Sequence, residues 1–288
     1  MNKDHNFINF KNEFELFANL FLKDHPQYGE IIKGGKRIRP IIVFDIANFI
    51  DPIWRTNQET SYSIKSYALA LELIHSTSLI IDDLPSMDNE MYRRDELTFH
   101  RKYGQQSTYL MVYNLLVLIK NIIWNNDDKT EEYIDLEELI NEELINLVNG
   151  QKYDLDPEWK PENISESRTL KIAELKTASL FKLAVLGPFY LLKNKIKSKI
   201  NPNNLKEILT RIGLNLGMSF QLSDDYLDID IDNKTNNYGL ETSIEELKNK
   251  YIMYSVKLIF DLKELEWSDN SVIYKIIDLM NGRFETKK

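Results

Sequence analysis

Two short acidic clusters, each at the end of an apolar stretch, are the residues in this chain best suited to chemistry. The first reads Leu79-Ile80-Ile81-Asp82-Asp83-Leu84-Pro85-Ser86-Met87-Asp88 and is followed by Arg93-Arg94. The second reads Phe220-Gln221-Leu222-Ser223-Asp224-Asp225-Tyr226-Leu227-Asp228. Carboxylates set in apolar sequence repel one another and cost several kcal/mol each to bury unpaired, so cations must neutralise them. Oxygen-only ligand sets suit magnesium, which takes one or two carboxylates together with substrate phosphates. The pattern points to a diphosphate held through Mg2+ between two facing helices.

Helical geometry decides how each cluster is presented. At 100° per residue, Gln221, Asp224, Asp225 and Asp228 fall within about a 100° arc, so one helix face carries an amide and three carboxylates. In the first cluster Asp88 lies about 120° from Asp82 on an ideal helix, and Pro85 would strain a continuing one. The helix is therefore expected to end near Leu84, with Asp88 swinging back from the following loop. His75 lies seven residues before Asp82, nearly in line with it, where a core histidine and a ligand are both open readings. Asp135, Glu137, Glu138, Glu142 and Glu143 read as a solvated face.

The elements that must hold these groups are helical. Gly (10) and Pro (8) are scarce among 288 residues, which favours long helices over turn-rich sheet. Apolar residues recur at helical spacing, without period-two alternation. Helices are expected over 6–23, from Pro40, and over 63–83, 105–125, 131–152, 167–193, 202–230 and 243–264, with a short one near the C-terminus. Gly34-Gly35 is a break, and 156–167 a loop. With 43% hydrophobic residues and no composition step, residues 1–288 read as one all-α domain.

A net charge of −9 argues against a nucleic-acid surface, so cations for an anionic substrate must be local. Lys33-Gly34-Gly35-Lys36-Arg37-Ile38-Arg39 and Arg93-Arg94 supply them. Cysteine is absent, which excludes disulfides and thiolate sites, and four scattered histidines argue against zinc. No uninterrupted apolar run reaches the ~18 residues of a membrane span. With no leader pattern, a soluble, reducing, cytoplasmic setting is expected.

In this order and spacing the motifs resemble the trans-isoprenyl diphosphate synthases, or polyprenyl synthetases. The likeness runs over residues 30–230: Gly34-Gly35-Lys36-Arg37-Ile38-Arg39-Pro40, Leu71-Glu72-Leu73-Ile74-His75 leading into Asp82-Asp83, Arg93-Arg94, His100 to Gly104, Gly150-Gln151 with Asp154-Leu155, Lys176-Thr177, and Phe220-Gln221 to Asp228. The resemblance implies a bundle of ten or more helices around a central apolar cavity, in a homodimer. It implies that Asp82, Asp83 and Asp88, with Asp224, Asp225 and Asp228, bind magnesium. Arg93, Lys176, Thr177 and Gln221 would hold an allylic diphosphate. Lys36, Arg39, His75 and Arg94, with Phe220 nearby, would hold isopentenyl diphosphate. Guanidinium forks and lysine ammonium groups match phosphate oxygens in such roles. Asp82, Asp83, Arg93, Lys176 and Asp224 would carry the catalysis, a head-to-tail prenyl transfer.

The chain also departs from the family pattern. Where relatives carry Gly-Asp-Ala-Leu after His100, it has Val112-Tyr113-Asn114-Leu115, adding bulk to a helix that lines the cavity in such enzymes. Lysines that close over the substrate in relatives would have to come from Lys234, Lys248 or Lys250. In short-chain synthases an aromatic five residues before the first Asp limits product length. Thr77 stands there, so an open floor and a geranylgeranyl product are expected, with Tyr109 or Tyr113 as a lower floor that would favour farnesyl. The rival readings are a non-catalytic partner subunit and a class I terpene cyclase. The two intact Asp clusters argue against the first, and the Gly-Gly-Lys-Arg segment against the second.

Overall fold

The computed structural model describes residues 3–124, 131–156, 158–160, 167–196, 201–229 and 238–285. The chain is built almost wholly of helices: α1 (Lys3–Phe21), α2 (Pro26–Ile32), α3 (Ile38–Ile50), α4 (Gln58–Asp82), α5 (Phe99–Tyr103), α6 (Gln105–Trp124), α7 (Glu131–Leu155), α8 (Arg168–Ala173), α9 (Ser179–Leu191), α10 (Pro202–Asp228), α11 (Tyr238–Glu241), α12 (Ile244–Glu264) and α13 (Val272–Glu285). A two-residue antiparallel ribbon pairs Tyr92 with Leu97 and Arg93 with Glu96. The all-α expectation holds. Four short elements escape the periodicity reading: α2, α5, α11 and this ribbon. Each is too brief to develop a 3.6-residue repeat.

The segment expected as one helix over 167–193 is interrupted. A π-helical turn at Glu174–Ala178 separates α8 from α9. Such turns insert a residue into the helical ladder and often mark functional positions. α9 is the innermost helix, with Leu180, Phe181, Leu183, Ala184, Val185 and Leu186 all buried. It packs against α3, α4, α7 and α10, so the two helices that carry the acidic clusters share one support.

α4 and α6 are long and apolar enough, by length and composition, to cross a membrane. This differs from the expectation drawn from uninterrupted apolar runs, because both helices scatter polar residues through apolar sequence. Most of α4 is buried inside the bundle, whereas α6 keeps much of its apolar surface outside.

Two buried charges fix the packing of this scaffold. Arg37 adopts a left-handed backbone (φ 61°) just before α3 and is only 3% exposed. Its Nε donates to Glu15 of α1 at 2.8 Å and its Nη1 to Glu72 of α4 at 2.9 Å. It therefore ties three helices together. Arg37→Ala would leave Glu72 buried without its cation, and a loss of about 3–5 kcal/mol in unfolding free energy is expected. Denaturant titration checks this; a loss below about 1 kcal/mol would show that neither carboxylate depends on Arg37.

Asp45 of α3 is buried at the start of α13, where its carboxylate accepts the Ile273 N–H at 3.2 Å. Burial pushes its pKa up to about 6, against the opposing pull of its hydrogen bonds. The folded carboxyl thus keeps its proton to higher pH than the unfolded chain does. Its stabilising contribution is full below the ordinary carboxylate pKa and is lost as pH rises through about 6. Between about pH 4 and 7 the loss should be on the order of 2–3 kcal/mol. Urea midpoints of wild type and Asp45→Asn across that range provide the test. The variant should lack this fall, and parallel profiles would remove Asp45 as its source.

Candidate active site

The first acidic cluster forms where α4 stops. Asp82 is the last helical residue, and the Asp83 N–H still bonds back to Leu79 O at 3.0 Å. The loop then doubles back, so that the Asp88 N–H donates to Asp82 O at 2.9 Å. Asp88 is thereby brought beside Asp82, as its sequence position and Pro85 predict. Asp83 is buried and grips Arg93, whose Nε lies 2.8 Å from Oδ1 and 3.0 Å from Oδ2. Asp82 lies 3.6 Å from Lys176 Nζ, which also donates to Asp154 of α7 at 2.9 Å. Burial raises the Asp82 carboxyl above the usual range, with the Lys176 ammonium pulling the other way.

The second cluster occupies the last turns of α10, and its three carboxylates are placed differently. Asp224 pairs with Arg283 of α13 at 2.6 Å. Burial pushes its carboxyl upward while Arg283 and Lys36 draw it down. Asp225 faces inward, accepting from Gln221 Nε2 at 2.7 Å and from the Tyr238 N–H at 3.1 Å. Burial lifts it to about 6. Asp228 is exposed at the helix end.

Lys176 and Thr177 sit on the π-helical turn, which two glycines allow to approach its neighbours closely. A Cβ on Gly150 of α7 would lie 2.8 Å from the Lys176 backbone nitrogen. One on Gly217 of α10 would lie 2.6 Å from Ala178 Cα. Thr177 Oγ1 donates to Gln221 Oε1 at 2.6 Å, and Gln221 holds Asp225. One hydrogen-bond chain thus runs from the Lys176-Thr177 turn to the second acidic cluster.

A cavity of about 480 Å³ opens between these elements. Asp82, Lys176, Thr177, His75 and Arg39 line its polar part, and Leu79, Ile81, Leu147, Val148 and Leu180 its apolar walls. Arg39 lies 5.0 Å over the Phe181 ring, and its Nε is buried without a partner among the described residues. Burial lowers Arg39 to about 10, with Glu72 and Asp224 opposing. His75 falls well below its usual range because it is buried and faces the guanidiniums of Arg39, Arg94, Arg93 and Arg37. The neutral imidazole is thereby favoured. Arg94 donates to Lys33 O at 2.9 Å, Lys36 is exposed, and Phe220 packs tilted against Phe181 at 5.2 Å, with the Arg283 guanidinium 4.9 Å from its ring centre.

Three expectations change. Thr77 is not among the residues that line the cavity: it is 3% exposed and its hydroxyl donates to Leu73 O at 2.7 Å. Ser78 takes the lining position, because it falls about 40° from Asp82 around the helix whereas Thr77 falls about 140° away. Tyr109 and Tyr113 are 42% and 69% exposed on α6, and a floor for the cavity does not come from Tyr113. Glu143 does not belong to a solvated face, being 3% exposed and paired with Lys182 of α9 at 3.0 Å. Lys248 lies 5.1 Å over the Tyr226 ring, and Lys234 lies outside the described residues. Arg283 escaped the sequence reading because a single arginine near the C-terminus carries no local pattern.

Among the described residues no three acidic or histidine side chains converge closely enough to hold a metal ion by themselves. Lys176, Arg93 and Arg283 instead neutralise Asp82, Asp83 and Asp224 one by one. The donor set is hard, all-oxygen and incomplete. That fits magnesium, which completes its shell with water and substrate phosphate.

The family model for polyprenyl synthetases matches residues 25–259. The chain belongs to that family. It is a prenyltransferase of the short-chain kind. A farnesyl diphosphate synthase of Buchnera aphidicola subsp. Schizaphis graminum is 30% identical over 287 residues, covering 93% of this chain and 92% of that one. The crystal structure of a geranyltransferase from Legionella pneumophila superposes with a TM-score of 0.80 at 23% identity, covering 99% of this chain and 98% of its own. A geranyltransferase from Helicobacter pylori, solved with magnesium and isoprenyl diphosphate, has a TM-score of 0.74 at 23% identity, covering 98% of each chain.

Proposed function

We propose that this chain condenses isopentenyl diphosphate with an allylic diphosphate and releases farnesyl diphosphate. The observation that carries the proposal is the cavity with Asp82, Lys176 and Thr177 at its polar part and leucine, isoleucine and valine walls beyond. Lys176 and Arg93 would leave their carboxylates to grip the allylic diphosphate, while Asp82, Asp83, Asp88 and Asp224 would hold Mg2+. When bound, Mg2+ supplies positive charge that stabilises the departing diphosphate. Lys36, Arg39, His75 and Arg94 would orient isopentenyl diphosphate, with His75 acting as a neutral hydrogen-bonding group. Apolar walls from α4, α7 and α9 exclude the water that would quench an allylic cation.

A farnesyl product is supported by the naming of the relative that spans nearly the whole chain. The argument for geranylgeranyl diphosphate rested on Thr77, which lies off the cavity. Ser78 is the position to alter: Ser78→Phe should shorten the product, read as carbon number by mass spectrometry, and an unchanged product would remove it from the growing chain's path. The reaction itself is tested by incubating the protein with Mg2+, isopentenyl diphosphate and each allylic diphosphate. Longer linear diphosphates support the proposal; cyclic hydrocarbons or no product would overturn it.

A homodimer, acting as two single-domain copies in a cytoplasmic setting, completes the proposal. Leu110, Tyr113, Leu116 and Val117 form an exposed apolar stripe on α6, each more than half exposed. Stripes of this kind mark association surfaces. Leu110→Glu with Val117→Glu should halve the mass seen by light scattering.

A further inference from the structure

One cation at the cavity is absorbed by none of these roles. Lys152 of α7 lines the same cavity as Asp82, Met87 and Lys176, one helical turn beyond Val148. Two cations close to the first acidic cluster are held by carboxylates: Lys176 by Asp154 and Asp82, and Arg93 by Asp83. Lys152 makes no ion pair or side-chain hydrogen bond among the described residues. Its neighbour Gln151 also lines the cavity, and both amide atoms of that side chain are buried without a partner. Residues 151 and 152 thus turn unanswered polar groups toward a space whose remaining α7 wall is Leu147, Val148 and Leu155.

We infer that Lys152 is a substrate-binding residue for the allylic diphosphate, the cation that engages the incoming anion before Lys176 and Arg93 exchange their carboxylate partners for it. The inference rests on the prenyl-transfer reading and adds a specificity determinant to it. An ion-paired lysine must break an existing contact to bind phosphate, whereas an unpaired one on an apolar wall loses only water. Lys152 lines the cavity that Asp82 and Lys176 also line, and the inference assigns it to the allylic anion, so the allylic substrate and not isopentenyl diphosphate should feel its loss.

The test compares wild type, Lys152→Gln and Lys152→Arg by steady-state kinetics with each substrate varied, and by calorimetry with inorganic pyrophosphate in magnesium-free buffer. Lys152→Gln should raise the KM for the allylic diphosphate about tenfold and weaken pyrophosphate binding similarly. The KM for isopentenyl diphosphate should stay within about twofold, and Lys152→Arg should restore both losses. The difference should shrink at high salt, where screening weakens an exposed cation. Equal rises in both KM values, or no rise, would overturn the inference while leaving the reaction intact. Should wild type prove inactive, weaker pyrophosphate binding in Lys152→Gln would uphold the anion site and reject the reaction; unaltered binding would reject the site. Lys152 is exposed, so an unchanged melting midpoint should accompany every variant.

Discussion

Replacing Asp82 with alanine is expected to lower the rate of prenyl transfer by about a thousandfold or more, with the fold intact. The carboxylate ends α4 at the cavity, next to Asp88 and within reach of Lys176. Asparagine or alanine there would remove a negative charge that helps hold the metal, and each nearby carboxylate already has its own place in the site. Asp83 is committed to Arg93, and Asp154 to Lys176. Stability should not suffer, because burial already disfavours the ionised Asp82 and Lys176 keeps Asp154 at 2.9 Å. Turnover measured across magnesium concentrations, beside a melting curve, would decide the matter. Near-normal turnover with unchanged magnesium dependence would dislodge Asp82 from the reacting centre.

Gly150→Val carries the second large effect, although Gly150 touches no substrate. Its added Cβ would meet the Lys176 backbone nitrogen at 2.8 Å and the Leu175 carbonyl carbon at 3.1 Å. Backbone atoms cannot rotate away as a side-chain tip can, so the π-helical turn itself must shift. Lys176 and Thr177 would move with it, and with them the hydrogen bond to Gln221. A displacement of about 1 Å at a positioning group costs on the order of a hundredfold in rate. Overpacking should add about 1–3 kcal/mol of destabilisation. The diagnostic outcome is a loss of kcat/KM larger than the stability change explains. Full activity in a variant that folds would show that the Gly150 contact does not set the position of Lys176.

The helical class, most long helices and the two acidic clusters were legible from local pattern. A repeat of 3.6 residues per turn, scarce glycine and proline, and carboxylates closing apolar stretches are short-range signals. The return of Asp88 toward Asp82 was legible for the same reason, since Pro85 and the helical period act within a few residues. Where the reading of Glu143 and Arg37 fell short, the deciding contact was distant in the chain. Glu143 looked solvated until Lys182 of α9 was placed against it. Arg37 read only as part of the cationic segment 33–39 until Glu15 and Glu72 enclosed it. Thr77 was borrowed from the family's pattern, and its position around α4 turns it from the cavity.

Sequence alone thus determined which residues have the chemistry for a diphosphate and a hard metal, because residue type and helical spacing are local properties. Tertiary structure alone decided which cations are spoken for, which face of α4 meets the cavity, and that Arg283 comes from the far end of the chain to meet Asp224. The physical reason is that charge pairing and burial depend on separation in space, which no local repeat encodes.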